Sequence, residues 1–185
     1  MTTSAAAALS RPEGTEYAPY FSRYTSLVPE GEIVAILSKQ IEDSLALLKS
    51  IDESKANYRY APDKWSIKQL LGHVIDTERI FTYRALRFAR NDSNPLVGYD
   101  QDQFVNGADF DSRSFADMVD EFDHVRRASI HLFKPLNDEE WLRRGTANDA
   151  EVSVRALAHI LAGHELHHMN ILKTRYLSDS AGAGA

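Results

Sequence analysis

Cysteine is absent from all 185 residues of the chain. The protein therefore has no disulfide, no thiolate metal site and no cysteine nucleophile of its own. Any thiol that takes part in its chemistry must arrive with a cosubstrate. The absence is compatible with a reducing compartment, and we expect a cytoplasmic location.

Long apolar runs and an excess of positive charge are also missing. No run approaches the roughly 18 residues that a membrane-spanning helix needs, so we expect no membrane partner. The formal net charge is -6, and an acidic chain without a basic stripe lacks the electrostatic footprint of phosphate binding. Nucleic acid is therefore not an expected partner.

The two ends of the sequence are poor in residues that could form a core. "MTTSAAAALS" has no basic residue before its alanine run, and this run is too weakly apolar for a signal peptide. "SDSAGAGA" at the other end contains only small and polar residues. We predict a disordered segment over 1–16, a single folded domain over 17–178 and a flexible tail over 179–185.

Four segments show the three- and four-residue apolar spacing of amphipathic helices, and none shows sustained strand alternation. The predicted helices cover about 31–51, 67–90, 115–133 and 153–177. The second and third are separated by residues 91–111, which show no convincing period; a connection of this length is typically a crossover or a functional loop. The sequence therefore predicts an all-α protein, a four-helix bundle with a long crossover between helices 2 and 3.

The fourth helix contains "GHELHHMN", residues 163–170. Residues four apart on a helix lie within roughly 40° of each other, so His164 and His168 share a face, and it is the apolar one. Buried imidazoles need partners for their nitrogens, and either a metal ion or core hydrogen bonds can supply them. The residues alone favour neither interpretation. A third ligand would favour the metal, and His73 on helix 2 is the best candidate.

The remaining histidines are weaker candidates. His124 and His131 belong to the polar "EFDHVRR" side of helix 3, which we expect in solvent. His159 lies on the far side of helix 4 from His164 and is also expected in solvent, while His167 lies at the edge of the apolar stripe.

His164, Glu165 and His168 satisfy the H-E-x-x-H pattern of zinc metalloproteases. Those enzymes need a third ligand further along the chain and a sheet that holds the peptide. Ile171 and Thr174 occupy the positions where the extended motif has glycine and histidine, so we exclude a protease. Glu165 is turned about 100° from His164. It is expected either in solvent or as a catalytic general base beside the metal.

Glu78 lies in the middle of the apolar face of helix 2. An unpaired carboxylate would be unfavourable there. We predict a pairing with Arg84 or Arg175, or with the hydroxyl of Tyr83; a position beside the metal is the alternative.

Three stretches resemble the DinB superfamily, particularly its DinB-like metal-binding branch. They are "APDKWSIKQLLGHVIDTERIFTYRALRFAR", "GYDQDQFV" and "VSVRALAHILAGHELHHMNIL", and the resemblance covers about 33–177. It implies a four-helix bundle with the same long crossover and a homodimer. It also implies a metal site of three histidines, which by motif are His73, His164 and His168.

Three histidines leave coordination positions of a divalent ion open, and zinc or nickel is the favoured metal. We expect a metal-dependent enzyme acting on a small electrophile, either a hydrolase or a low-molecular-weight-thiol S-transferase. Proteins that the fold resembles use bacillithiol, glutathione or mycothiol. The length and composition of the crossover fit two predictions equally: Tyr99, Asp100, Asp102 and Phe104 roof the site, or they belong to a packed surface loop. The alternative is a non-catalytic dimeric bundle in which the metal or the histidines are structural.

Overall fold

The computed structural model describes residues 10–178 and contains four long helices. They are α1 (Ile33–Leu48), α2 (Ile67–Ala89), α3 (Phe115–Phe133) and α4 (Val154–Ile171). A side chain accepts hydrogen bonds from the first free amides of each helix; the four caps are Glu32, Ser66, Ser114 and Ser153. The helices and the long connection after α2 confirm the predicted bundle. No helix within 10–178 is both long and apolar enough to cross a membrane.

The bundle has a polar layer between two apolar clusters. α1 and α2 each pack against α3 and α4. One cluster includes Leu37, Phe88, Phe133 and Trp141, and the other includes Ile41, Leu71, Ile75 and Phe122. Between them along the helices lie buried polar residues; these are Gln40, Ser44, His73, Thr77, Glu78, Arg126, Ser129, His164, Glu165 and His168.

The crossover is more ordered than its sequence predicts. It contains a short helix, Gln101–Gly107, and a 3-10 turn, Phe110–Ser112. Asp100 caps the short helix by accepting hydrogen bonds from two backbone amides. The residues before it have no regular structure except at Leu96, which bridges to Ala147.

A β-hairpin precedes α4 and was not predicted. Strands β1 (Arg144–Ala147) and β2 (Ala150–Ser153) pair antiparallel, with Arg144 opposite Ser153 and Ala147 opposite Ala150. The turn residues Asn148 and Asp149 have φ values of 51° and 60°, as in a two-residue type I′ turn. Four-residue strands are too short to show alternation, but the Asn-Asp pair is a recognisable turn signal.

The folded part begins before residue 17. Glu16 is buried and accepts a 2.6 Å hydrogen bond from Ser153 Oγ, while Arg155 pairs with its carboxylate. Part of the segment predicted to be disordered is thus packed against the start of α4. Residues 1–9 and the predicted flexible tail, 179–185, lie outside the described residues. The predicted fourth helix continues beyond Ile171 as a π-helical turn, Leu172–Tyr176.

Candidate metal centre

The structure brings His73 of α2 together with His164 and His168 of α4. The Nε2 atom of His164 lies 3.0 Å from Nε2 of His73 and 3.1 Å from Nε2 of His168. All three side chains are buried, with exposed fractions of 3%, 6% and 8%. One nitrogen from each ring lies within 4.8 Å of the others, the spacing of a group that can hold a metal ion.

Glycines directly precede His73 and His164, and each lets a neighbour approach the site closely. A Cβ atom at Gly72 would lie 2.5 Å from the ring of Phe110, and one at Gly163 would lie 2.0 Å from the carbonyl oxygen of Tyr24. The Tyr24 ring meets the His164 ring edge-on, with 5.3 Å between centroids. The two glycines therefore allow the bundle to close over the histidines.

Burial keeps the three imidazoles neutral. The loss of hydration lowers the pKa of His73 to about 4 and lowers the pKa of both His164 and His168 well below 6.5. Neighbouring imidazoles lower the pKa of His164 and His168 further. A neutral imidazole has a lone pair on one nitrogen, which is the form that binds a metal ion.

The donor set fits a divalent cation. Thr77 Oγ1 lies 3.4 Å from His73 Nδ1 and 2.8 Å from the Tyr99 hydroxyl. A proton on Nδ1 directed at Thr77 leaves the lone pair of His73 on Nε2, towards the other two rings. Nε2 of His164 carries either one proton or one lone pair, so it cannot make a separate hydrogen bond to each neighbour. A single cation can accept all three lone pairs.

Glu165 does not lie in solvent, contrary to one of the two predictions for it. It is 1% exposed; Ser44 Oγ donates a 2.5 Å hydrogen bond to one carboxylate oxygen, and Arg126 Nη1 lies 2.5 Å from the other. Burial raises the pKa of Glu165, against the opposing effect of Arg126. Both oxygens are engaged inside the bundle, and Glu165 lines neither cavity at the histidines. This geometry does not support the predicted general base.

Glu78 has an arginine partner, as predicted, but the partner is Arg126. Arg126 Nε and Nη2 donate to the two carboxylate oxygens at 2.8 and 2.9 Å, and Ser129 Oγ donates a third hydrogen bond at 2.7 Å. Arg126 is 0% exposed, so the prediction that its segment faces solvent is wrong at this residue. The pairings predicted with Arg84, Arg175 or Tyr83 are not formed.

His159 is another correction. It is 2% exposed, and its Nδ1 lies 2.9 Å from the carbonyl oxygen of Arg155. Burial lowers its pKa to about 4. His124 and His131 are exposed, as their polar surroundings predict. His167 is half-buried at the edge of the site, with its ring edge-on to Tyr24.

Two cavities reach the histidines from different sides. The first has a volume of about 350 Å³ and includes His164 in its wall. α2 and α4 contribute apolar side chains to it, and the crossover and the hairpin complete it; the lining includes Thr77, Phe81, Arg84, Tyr99, Asn148, Leu157 and Ile160. The second includes His168, Trp65, Asp102 and Tyr176.

Two of the four predicted roof residues border these cavities. Tyr99 lines the cavity at His164, and Asp102 lines the cavity at His168. Phe104 is 45% exposed and meets the Tyr99 ring edge-on, whereas Asp100 is used as a helix cap. Sequence reasoning missed Arg84 as a cavity residue. Its spacing from Thr77 and Phe81 on one face of α2 was the available signal.

The family model of the DinB superfamily matches residues 36–172, which is most of the chain and includes all three histidines. The chain belongs to the DinB superfamily. A relative from Oceanobacillus iheyensis, named "Putative metal-dependent hydrolase OB0413", is 24% identical over 138 residues, which cover 74% of this chain and 78% of that protein. The match to the family model confirms the resemblance to the DinB superfamily.

A solved DinB-like structure shows the same fold. YfiT from Bacillus subtilis is described as "a probable metal-dependent hydrolase with an unusual four-helix bundle topology". It superposes with a TM-score of 0.68 at 14% sequence identity, covering 76% of this chain and 82% of YfiT.

Proposed function

We propose that this DinB protein is a metal-dependent hydrolase of a small molecule, with a divalent ion held by His73, His164 and His168. The observation that carries the proposal is the convergence of three buried, neutral Nε2 atoms beside a cavity of about 350 Å³. When bound, a divalent ion supplies Lewis acidity and lowers the pKa of water. Both named relatives are described as metal-dependent hydrolases, which supports this class.

The protein's own side chains would orient the ligands and a substrate. Thr77 fixes the ring of His73, and the Tyr99 hydroxyl lies 2.8 Å from Thr77 at the cavity wall. Burial raises the pKa of Tyr99, so its hydroxyl stays protonated at neutral pH and can donate a hydrogen bond to a substrate oxygen. Phe81, Leu157 and Ile160 exclude water from the same cavity.

The proposal is tested by elemental analysis of the purified protein and its single alanine variants at the three histidines, together with panels of ester and amide substrates. We expect about one metal ion per chain in the wild type, with loss of both metal and hydrolysis in each variant. His131→Ala, which removes an exposed histidine, should keep both. Full metal content in all three site variants would overturn the proposal. Elemental analysis also identifies the metal, which we predict to be zinc or nickel.

A thiol S-transferase is the second candidate. The second cavity, at His168, favours it, because two substrates could then reach the ion from different sides. Assays that supply a low-molecular-weight thiol and a model electrophile separate the two activities: a transferase requires the thiol, whereas a hydrolase does not. Metal binding with neither activity would favour the structural bundle.

We also propose a homodimer, which rests on the family resemblance. Sedimentation equilibrium would show twice the mass of one chain; a single-chain mass across the concentration range would contradict it.

A further inference from the structure

Arg84 is a buried cation without an acidic partner, and it opens on the cavity at His164. It is 6% exposed, and its Nη2 donates a 3.0 Å hydrogen bond to the carbonyl oxygen of Val97. Three arginines are buried in the described part of the chain. Arg126 pairs with Glu78 and Glu165, and Arg155 pairs with Glu16, but no carboxylate in residues 10–178 pairs with Arg84. The one buried arginine of this part of the chain that lacks a carboxylate partner therefore lies in the wall of the cavity at His164.

A guanidinium in an apolar wall is stabilised by an anion. Burial without one is unfavourable, and the loss of hydration lowers the pKa of Arg84. The planar guanidinium presents N–H groups in a fork that matches the two oxygens of a carboxylate. With one N–H used by Val97, the remaining donors of Arg84 are available to a ligand in the cavity.

The wall between Arg84 and the histidines is largely apolar. His73, Thr77, Phe81 and Arg84 follow one face of α2, and a rise of 1.5 Å per residue places the Cα atoms of His73 and Arg84 roughly 16 Å apart. Phe81 of α2 and Ile160 of α4 line the interval. A ligand that reaches from the guanidinium to the histidines therefore needs an apolar middle.

We propose that this cavity binds an amphipathic carboxylate, with its carboxylate on Arg84, its apolar part along Phe81 and Ile160, and its hydrolysed bond at the histidines. A single guanidinium suits a singly charged group. Glu151, which also lines the cavity and pairs with Arg144 at 2.7 Å, disfavours more highly charged anions such as phosphate. Only the position of the reacting bond rests on the proposed function, because Arg84 binds a carboxylate whether or not metal is present.

The test compares 4-phenylbutyrate with its neutral amide, 4-phenylbutyramide, by isothermal titration calorimetry on the full chain, both chelator-treated and zinc-loaded. In chelator-treated wild type the carboxylate should bind about tenfold more tightly than the amide, and R84Q should remove this preference. R84K keeps the positive charge and should retain part of the preference for the carboxylate. R90Q makes the same charge change directly after α2, at a residue paired with Glu140 on the surface, and should bind as wild type does. Circular dichroism establishes that each variant is folded.

Equal affinity of the chelator-treated wild type for the carboxylate and the amide would overturn the inference, and so would a preference that persists in folded R84Q. Zinc content measured on the same samples separates this failure from that of the proposed function. If zinc binding does not depend on the histidines while the Arg84-dependent preference remains, only the proposed function fails. If the histidines bind zinc and Arg84 has no effect on the preference, only this inference fails.

Discussion

At the scale of single residues, the site depends on two glycines as well as on the three histidines. His73 and His164 each follow a glycine, and both glycines occupy places where a β-carbon would overlap a neighbour. At Gly72 the neighbour is the ring of Phe110, which can rotate or shift. At Gly163 it is the backbone of Tyr24, which has less freedom to move. Gly163 should therefore tolerate a larger side chain less well than Gly72.

Gly163→Ala should destabilise the protein by roughly 1–3 kcal/mol, because the added methyl group overpacks against Tyr24. The clash should outweigh the gain of about 1 kcal/mol that alanine has over glycine in a helix. Gly107→Ala is the control, since a Cβ there meets nothing within 4 Å. Urea unfolding measures both variants; equal stabilities for the two would contradict the close contact.

His159 should make the unfolding free energy depend on pH. Its folded pKa, about 4, lies below the unfolded value of 6.5, so only the unfolded chain takes up the proton between these values. Stability should fall as the pH is lowered from about 6.5 to about 4, and this histidine accounts for on the order of 3 kcal/mol of the fall.

His159→Gln should therefore flatten the dependence of the unfolding free energy on pH, measured by urea unfolding at a series of pH values. His124→Gln provides the control, because it makes the same substitution at an exposed histidine. A wild-type slope in the His159→Gln protein would show that this histidine titrates normally in the fold.

At the scale of elements, the polar layer connects all four helices. Arg126 of α3 contacts Glu78 of α2 and Glu165 of α4, and Ser44 of α1 donates to Glu165. Glu78, Arg126 and Glu165 are all buried, so the fold is destabilised if any of these charges loses its partner. Because Glu165 follows His164 directly, this network also fixes the part of α4 that carries the histidines.

Arg126→Leu should lower the unfolding free energy by roughly 3–5 kcal/mol, since it leaves two buried carboxylates without their cation. Arg127→Leu is a closely matched control. Arg127 is half-exposed and pairs with Asp123 and Glu42 at the surface, so its loss should have an effect below about 1 kcal/mol. Denaturant unfolding of the two variants gives the comparison, and similar losses would show that the network contributes little.

The same elements show what the sequence could predict. The apolar spacing placed α2 and α3 to within a residue or two, because this signal is local. Burial of Arg126 and His159 depends on which helices pack against α3 and α4, which no single segment specifies. The hairpin was missed because its strands have four residues each. The spacing of His164 and His168 placed both on one apolar face, but the three-histidine set with His73 was predicted from the resemblance to the DinB superfamily.

At the scale of the whole molecule, the candidate site is assembled from distant parts of the chain. α2 and α4 supply the histidines, while Tyr24, Tyr99 and Asn148 bring the N-terminal segment, the crossover and the hairpin turn to the same cavity. The Leu96 backbone fixes the crossover to the hairpin through hydrogen bonds with Thr146 and Asn148. A metal ion at the histidines would cross-link α2 to α4 within this assembly.

Metal binding should therefore stabilise the entire fold. At a free zinc concentration 100 times its dissociation constant, the gain is about 2.7 kcal/mol. For a chain of this size that gain corresponds to a rise in Tm of about 5–10 °C. Thermal unfolding followed by circular dichroism should show the rise in wild type and in His131→Ala, its reversal by a chelator, and its loss in His164→Ala. An equal rise in His164→Ala would place the zinc elsewhere, because a site that loses its central nitrogen retains only two ligands, His73 and His168, on separate helices.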